Sequence, residues 1–167
     1  MPNWCQNRLI VSITEQGAPV DLKEFYEKAQ KPEELAYNSS GESAVYKKFR
    51  ILSLAALFPE PSVEDHDWYD WRIDNWGTKW DVNAEIKSQE SHQITYAFDS
   101  AWSPPSEWLK YIYTAFPKLH FELIFAECGN GFAGRSVASI EEEFYTVYEE
   151  EDDLESFIEE NDFDNYF

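Results

Sequence analysis

Ten of the last nineteen side chains are carboxylates, and none of the nineteen is basic. The segment "EEEDDLESFIEENDFDNYF" (149–167) carries Glu149, Glu150, Glu151, Asp152, Asp153, Glu155, Glu159, Glu160, Asp162 and Asp164. Carboxylates at this density can attract a basic protein surface, hold a divalent cation, or keep a chain soluble. Calcium loops of the EF type need a glycine inside a D-x-D-x-D-G pattern, and this run lacks it. Leu154, Phe157 and Ile158 fall at i, i+3, i+4, so one face of a helix can dock while the acids fan outward. As a single helix, residues 141–167 would extend about 40 Å. Its 13 carboxylates would then recur every ~3 Å of axis, close to the ~3.4 Å between phosphates of one DNA strand. The segment has room for a strand as well as a helix. The plain alternative is a solubilising tail.

The charge is concentrated rather than general. The chain of 167 residues has 33 acids and 13 bases, a formal net charge of −20. Residues 1–140 hold 20 of those acids and all 13 bases, a net −7. Direct nucleic-acid binding needs clustered Lys and Arg to neutralise phosphate, and an anionic membrane repels such a chain. A basic protein is the partner this composition favours. No apolar run approaches the ~20 residues of a bilayer-spanning helix, and the N-terminus does not read as a signal peptide. Cys5 and Cys128 make no disulfide framework, so a cytoplasmic protein with reduced thiols is expected.

Other residues with chemical potential give weaker signals. His66, His92 and His120 lack zinc spacing, there is no C-x-x-C, and "EDHD" (64–67) reads as a solvated loop, so no metal or cofactor is expected. No nucleophile elbow or triad spacing is present, and the reading is a protein without catalytic residues. "GNGFAG" (129–134) matches G-x-G-x-x-G, but no helical stripe follows it. A tight hairpin on Asn130-Gly131 is expected in place of a dinucleotide site. Trp68, Trp71, Trp76 and Trp80 fall within 13 residues, with Trp102 and Trp108 beyond them. Most are expected in the core, with Trp68 and Tyr69, set among acids, as exposed contact candidates. A ligand- or protein-binding face around Trp76, Trp80 and Trp102, with Lys79, Asp81 and Asp99 as polar partners, is the competing site.

Periodicity supplies the frame for these residues. Strands are expected over 5–14, where Ile10 breaks the alternation, and over 79–89, 91–100 and 119–128. Helices are expected over 18–30 and over 104–116, where Trp108, Leu109, Ile112 and Phe116 share a face. Residues 31–50 read as an irregular connection, with short helical pieces at 51–58 and 65–76. Removing an insertion of about 31–75 leaves β-α-β-β-α-β, an α+β, ferredoxin-like core whose antiparallel sheet carries helices on one face. A strand or hairpin at 131–148 completes a domain over 1–148, and 149–167 forms an acidic helix or tail.

"MPNWCQNRLIV", "NWGTKWD" (75–81), "AWSPP" (101–105) and "GNGFAG", in that order, resemble the ferredoxin-like Api and YubB-type proteins of bacteriophages and conjugative plasmids. The resemblance covers roughly residues 1–140 in blocks and leaves the acidic terminus outside. It implies a ferredoxin-like core, a mobile-element origin and life in the bacterial cytoplasm, and it brings no catalytic residues. With that origin, the acidic run suggests an inhibitor of a host defence protein, CRISPR-Cas or restriction type, that occupies a nucleic-acid-binding groove. A binding module or uncharacterised enzyme using the tryptophan-rich face is the first alternative. An assembly role, with a homodimer as one form, is the second.

Overall fold

The computed structural model describes residues 3–34, 47–62, 64 and 66–163. Its centre is a six-stranded antiparallel sheet in the order β4-β5-β1-β6-β7-β8. The strands are β1 (Trp4–Ile13), β4 (Glu85–Gln89), β5 (Gln93–Ala101), β6 (Leu119–Glu127), β7 (Phe132–Ser139) and β8 (Glu143–Tyr148). Helices α1 (Pro19–Lys28) and α4 (Ser106–Ala115) make the two crossovers. The chain order β1-α1-β4-β5-α4-β6, with β1 between β5 and β6, is the βαββαβ arrangement expected from the sequence.

Alternation along β1 decides both faces of the sheet. Leu9 and Val11 lie opposite Tyr96 and Ile94 on β5 and opposite Leu123 and Phe121 on β6. All six are buried in the larger core with Leu22 and Phe25 of α1 and Trp108, Leu109 and Ile112 of α4. Phe25 makes edge-to-face contacts with Tyr96, Phe116 and Phe121 at 5.2 to 6.3 Å. Ile10, the break in the pattern, points to the other face. There it packs on a second apolar cluster of Ile124, Ala126, Ala133, Leu154, Phe157, Ile158 and Phe163. A strand apolar on both faces needs cover on both, and the C-terminal segment supplies the second cover.

The structure departs from sequence expectation in three places. Residues 31–50 are not wholly irregular: β2 (Lys31–Glu34) and β3 (Lys47–Arg50) pair as a two-stranded antiparallel sheet. Every strand of a two-stranded sheet is an edge, where Pro32 needs no partner for its missing N–H. The expected strand 79–89 is regular only over Glu85–Gln89. Residues 79–84 instead cross the end of the sheet, held because Asp81 accepts from Leu54 N at 2.6 Å, Val82 N at 2.9 Å and Ser53 Oγ at 2.6 Å. The tryptophans divide differently too. Trp76 and Trp108 are buried, Trp71 is half-buried and Trp68 is exposed as expected, but Trp80 and Trp102 are exposed too. The short helices α2 (Leu54–Leu57) and α3 (Trp68–Trp76) match the expected pieces. Asp67 accepts from Tyr69 N and Asp70 N at the start of α3, and Gly77 at φ 84° ends it.

Candidate functional site

Two surfaces concentrate chemistry. The first is the acidic terminus. After β8 the chain makes a 3₁₀ turn (Glu151–Asp153) and the seven-residue helix α5 (Leu154–Glu160). So short a helix is marginal in isolation. Leu154, Phe157 and Ile158 fix it to the sheet as the i, i+3, i+4 spacing predicts. Its end is closed by a Schellman motif. Phe163 N donates to Ile158 O at 3.0 Å and Asp162 N to Glu159 O at 3.2 Å, with Asp162 at φ 54°. Arg8 of β1 completes the anchor, donating to Asp162 O at 3.0 Å and lying 5.0 Å from the Phe163 ring centroid.

Docking leaves the acids outside. Glu150, Glu151, Asp152, Asp153, Glu155, Glu159, Glu160 and Asp162 are exposed, and Glu149 is half-buried. Among the described residues none of these nine forms an ion pair. Asp164 lies outside the described residues. The segment is a strand, a turn and a short helix, so the acids form a patch over one sheet face and not a single 40 Å rod.

The second surface is the end of the sheet where the four quoted sequence blocks meet. Trp102 N donates to Asn3 O at 2.9 Å, and Trp4 and Trp80 rings lie 6.0 Å apart. Gly129 sits so close to Asn3 that a Cβ would fall 2.5 Å from Asn3 Nδ2. The Lys79 ammonium is 4.4 Å from the Trp80 centroid and 5.9 Å from that of Trp102, a cation held between two indoles. Trp4, Trp80 and Trp102 are 50 %, 39 % and 42 % exposed.

Trp102 is also strained. Its φ of 71° is a region that costs a bulky side chain roughly 1–3 kcal/mol. A buried polar network holds it there. Asn7 Nδ2 donates to Ser100 Oγ at 2.9 Å, Ser100 Oγ to Ser103 O at 2.7 Å, and Thr78 Oγ1 to Ala101 O at 2.9 Å. Ser103 Oγ donates to Gly77 O, tying the 77–80 and 101–105 loops together.

Beside Trp80 opens a cleft of about 1000 Å³ lined by Lys31, Arg50, Arg72, Glu60, Asp81 and Trp76 among others. Arg72 pairs with Glu60 at 2.6 Å and lies over the Trp68 and Trp76 rings at 5.1 and 5.2 Å. Burial alone would raise the Glu60 carboxyl, but hydrogen bonds from His66 and Arg72 outweigh it and hold the group below its usual range. Asp81 faces the cleft as an amide acceptor with Arg50 at 3.5 Å. Asp99, grouped with these by sequence, lies elsewhere, opposite Gln6 in a shallow groove with Arg8 and Lys87. Trp68 and Tyr69 are exposed as expected and stack edge-to-face at 5.8 Å.

The Cys5 thiol is buried and pushed well up by desolvation, so it is a poor source of thiolate. Neither Cys5 nor Cys128 forms a disulfide. Among the described residues no group of three or more His, Cys, Asp or Glu could hold a metal ion, and no helix is long and apolar enough to cross a membrane. "GNGFAG" is a hairpin: Glu127 pairs with Phe132 across it, Gly131 has φ 69°, and the buried Glu127 carboxylate accepts from Gly129 N at 2.7 Å and Asn130 N at 2.9 Å.

An antiparallel βαββαβ sheet capped by a hairpin and a docked C-terminal helix defines a class, and comparison places the chain within it. Residues 75–166 match the model of the ferredoxin-like domain in Api92-like proteins, and the chain belongs to that family. The match runs to residue 166 and so includes the acidic terminus, which the resemblance read from the sequence had left outside. The crystal structure of the protein api92 from Yersinia pseudotuberculosis is similar in fold. Its TM-score is 0.61 at 8 % identity, over 90 % of this chain and 99 % of that one. No curated protein matches the chain.

Proposed function

We propose that the chain is a non-catalytic inhibitor, carried by a phage or plasmid and acting in the bacterial cytoplasm. In this reading it occupies the nucleic-acid-binding surface of a host defence protein of CRISPR-Cas or restriction type. The observation that carries the reading is the docking of α5. Eight exposed carboxylates are held on one packed segment with no basic partner among the described residues. Fixed acids in that array suit a groove that binds phosphate by releasing counterions, and they favour fast, salt-sensitive association. The mobile-element setting rests on the family resemblance.

The test compares the native chain with one in which Glu149 through Asp162 are changed to Gln and Asn. Each is added to a purified CRISPR effector or restriction complex while its binding of labelled DNA is followed. Displacement of DNA by the native chain, lost on neutralisation and in high salt, is the expected result. Equal behaviour of the two chains against every complex tried would leave the acids as solubilisers.

A further inference from the structure

We propose that the outer edge of β8 takes up an extended segment of a basic partner protein as an added strand, one with apolar side chains at alternate positions and Lys or Arg at both ends. The edge is separate from the acids carried by α5, and the inference does not depend on the function proposed for them.

The two edges of the sheet are built differently. One is β4 and the other β8. The β4 edge is blunted: its register shifts between Ile86 and Ser88, and Lys87 sits at that irregularity, both devices that keep other strands away. The β8 edge has no Pro, Lys or Gly and pairs in regular register with β7 from Glu143 to Tyr148. Tyr145, Val147 and Tyr148 are exposed along it. Glu149 N donates to Ala133 O at 3.0 Å, and hydrogen-bonded pairs alternate along an antiparallel ladder. Tyr145 and Val147 therefore turn their backbone groups to β7, while Phe144, Thr146 and Tyr148 turn theirs outward. Among the described residues no strand pairs with that side. Such a row is a template for a further strand.

Charge selects the occupant. Glu141, Glu143, Glu150 and Glu151 are exposed and Glu149 is half-buried, and none of the five forms an ion pair among the described residues. A second copy pairing antiparallel over the full strand would be centred on Thr146. That register sets Phe144 against Tyr148, but it also sets Glu143 against Glu149, Glu142 against Glu150 and Glu141 against Glu151. Like charges directly opposite destabilise a strand pair. The same geometry favours an antiparallel strand with Lys or Arg opposite Glu143 and Glu149. Between those ends the strand meets Tyr145 and Val147 at the positions where facing side chains come closest, with Cα atoms about 4.5 Å apart. The pattern recognised is thus basic-x-apolar-x-apolar-x-basic.

The test titrates the whole chain with an end-capped, labelled peptide, Lys-Thr-Val-Thr-Val-Thr-Lys, followed by fluorescence anisotropy and amide exchange. Saturable binding is expected, weaker by about tenfold in a chain carrying both Glu143→Gln and Glu149→Gln. On binding, exchange should slow at the Phe144, Thr146 and Tyr148 amides and change little at Tyr145 and Val147, a pattern that side-chain contact alone would not give. Thr146→Pro removes one outward N–H and leaves the ladder to β7, so it should weaken binding by about tenfold. Val147→Ser, at an exposed position, should weaken it by about fivefold. Thermal midpoints near the native value would show that the variants fold. Neutralising Glu155, Glu159 and Glu160 together should change binding by no more than about twofold. A loss there as large as that of the Glu143 and Glu149 variant would place the peptide on α5 and overturn the proposal. So would no saturable response, equal binding of Glu-Thr-Val-Thr-Val-Thr-Glu, or undiminished binding by both Thr146→Pro and Val147→Ser. Dimers of the native chain that Thr146→Pro dissolves would assign the edge to a second copy and overturn it as well.

Discussion

The acidic face over α5 and the cationic, indole-lined end at Trp80 are opposite in how they are built. The first draws its charge from neighbours in sequence, residues 149–162, set on a helix that a handful of apolar side chains hold down. The second sets Lys31, Arg50 and Arg72 against Glu60 and Asp81 in one cleft, with Lys79 over the Trp80 ring beside it, and only folding brings them together. A contiguous run shows its sign in the sequence. A dispersed set of four is invisible inside a total of −20. Net charge therefore describes the first surface well and misdescribes the second.

The sharpest way to break the comparison is to cut between its parts. A fragment of residues 75–166, the span matched by the family model, lacks β1, the strand that pairs with both β5 and β6. We expect no cooperative melting transition by circular dichroism and no dispersed amide spectrum. A folded fragment would mean that β5 and β6 can pair without β1.

Next in size is the contrast between two tryptophans. Trp76 is buried and donates to Phe58 O at 3.0 Å, so Trp76→Ala should cost about 3–5 kcal/mol in urea unfolding. Trp102→Gly should leave stability within about 1 kcal/mol, because relief at positive φ offsets the added freedom of the unfolded chain. Equal losses at the two positions would show that Trp102 is not strained. On the other face, Phe157→Ala should cost about 3 kcal/mol. Amide exchange should accelerate over residues 154–163 well before the rest of the sheet.

Smaller effects sharpen the electrostatics. The Glu60 carboxyl is held below its usual value of 4.5 by His66 and Arg72. The folded state thus binds fewer protons there than the unfolded one. Its stabilisation is present above about pH 4.5 and is lost as pH falls through the depressed folded value. The advantage of the native chain over Glu60→Gln, measured by denaturation, should accordingly shrink with acidification; an advantage that grows would contradict the assignment. Least of all, salt should raise the thermal midpoint slightly by screening the unpaired acids of α5, an effect of a few tenths of a kcal/mol. Neutralising Glu155, Glu159 and Glu160 should remove part of that dependence.

Much of the frame was legible in the chain. Alternation in β1, the helical stripe of α4 and the Asn130-Gly131 turn each express a local preference that the fold did not override. The docking face of α5 was legible for the same reason, since Leu154, Phe157 and Ile158 share one side of any helix. The 79–84 segment was misread as strand because its alternating Val82 and Ala84 are buried by loop packing, a situation in which period two arises without a ladder. Trp80 and Trp102 were misread because hydrophobicity predicts burial, while both lie outside the regular elements at the end of the sheet and stay exposed. The meeting of the four sequence blocks could be suspected from their shared aromatic and turn-forming residues, but their order gave no distances.

By itself, then, the sequence determined the main elements, the βαββαβ order and the location of the negative charge, because these follow from nearest-neighbour sterics, periodicity and composition. Only the tertiary structure decided that Ile10 faces α5, that Trp102 is held at positive φ, and that Lys31, Arg50 and Arg72 share one cleft with Trp80. Those facts depend on contacts between residues far apart in the chain, and such contacts exist only once the sheet has set which strand ends lie side by side.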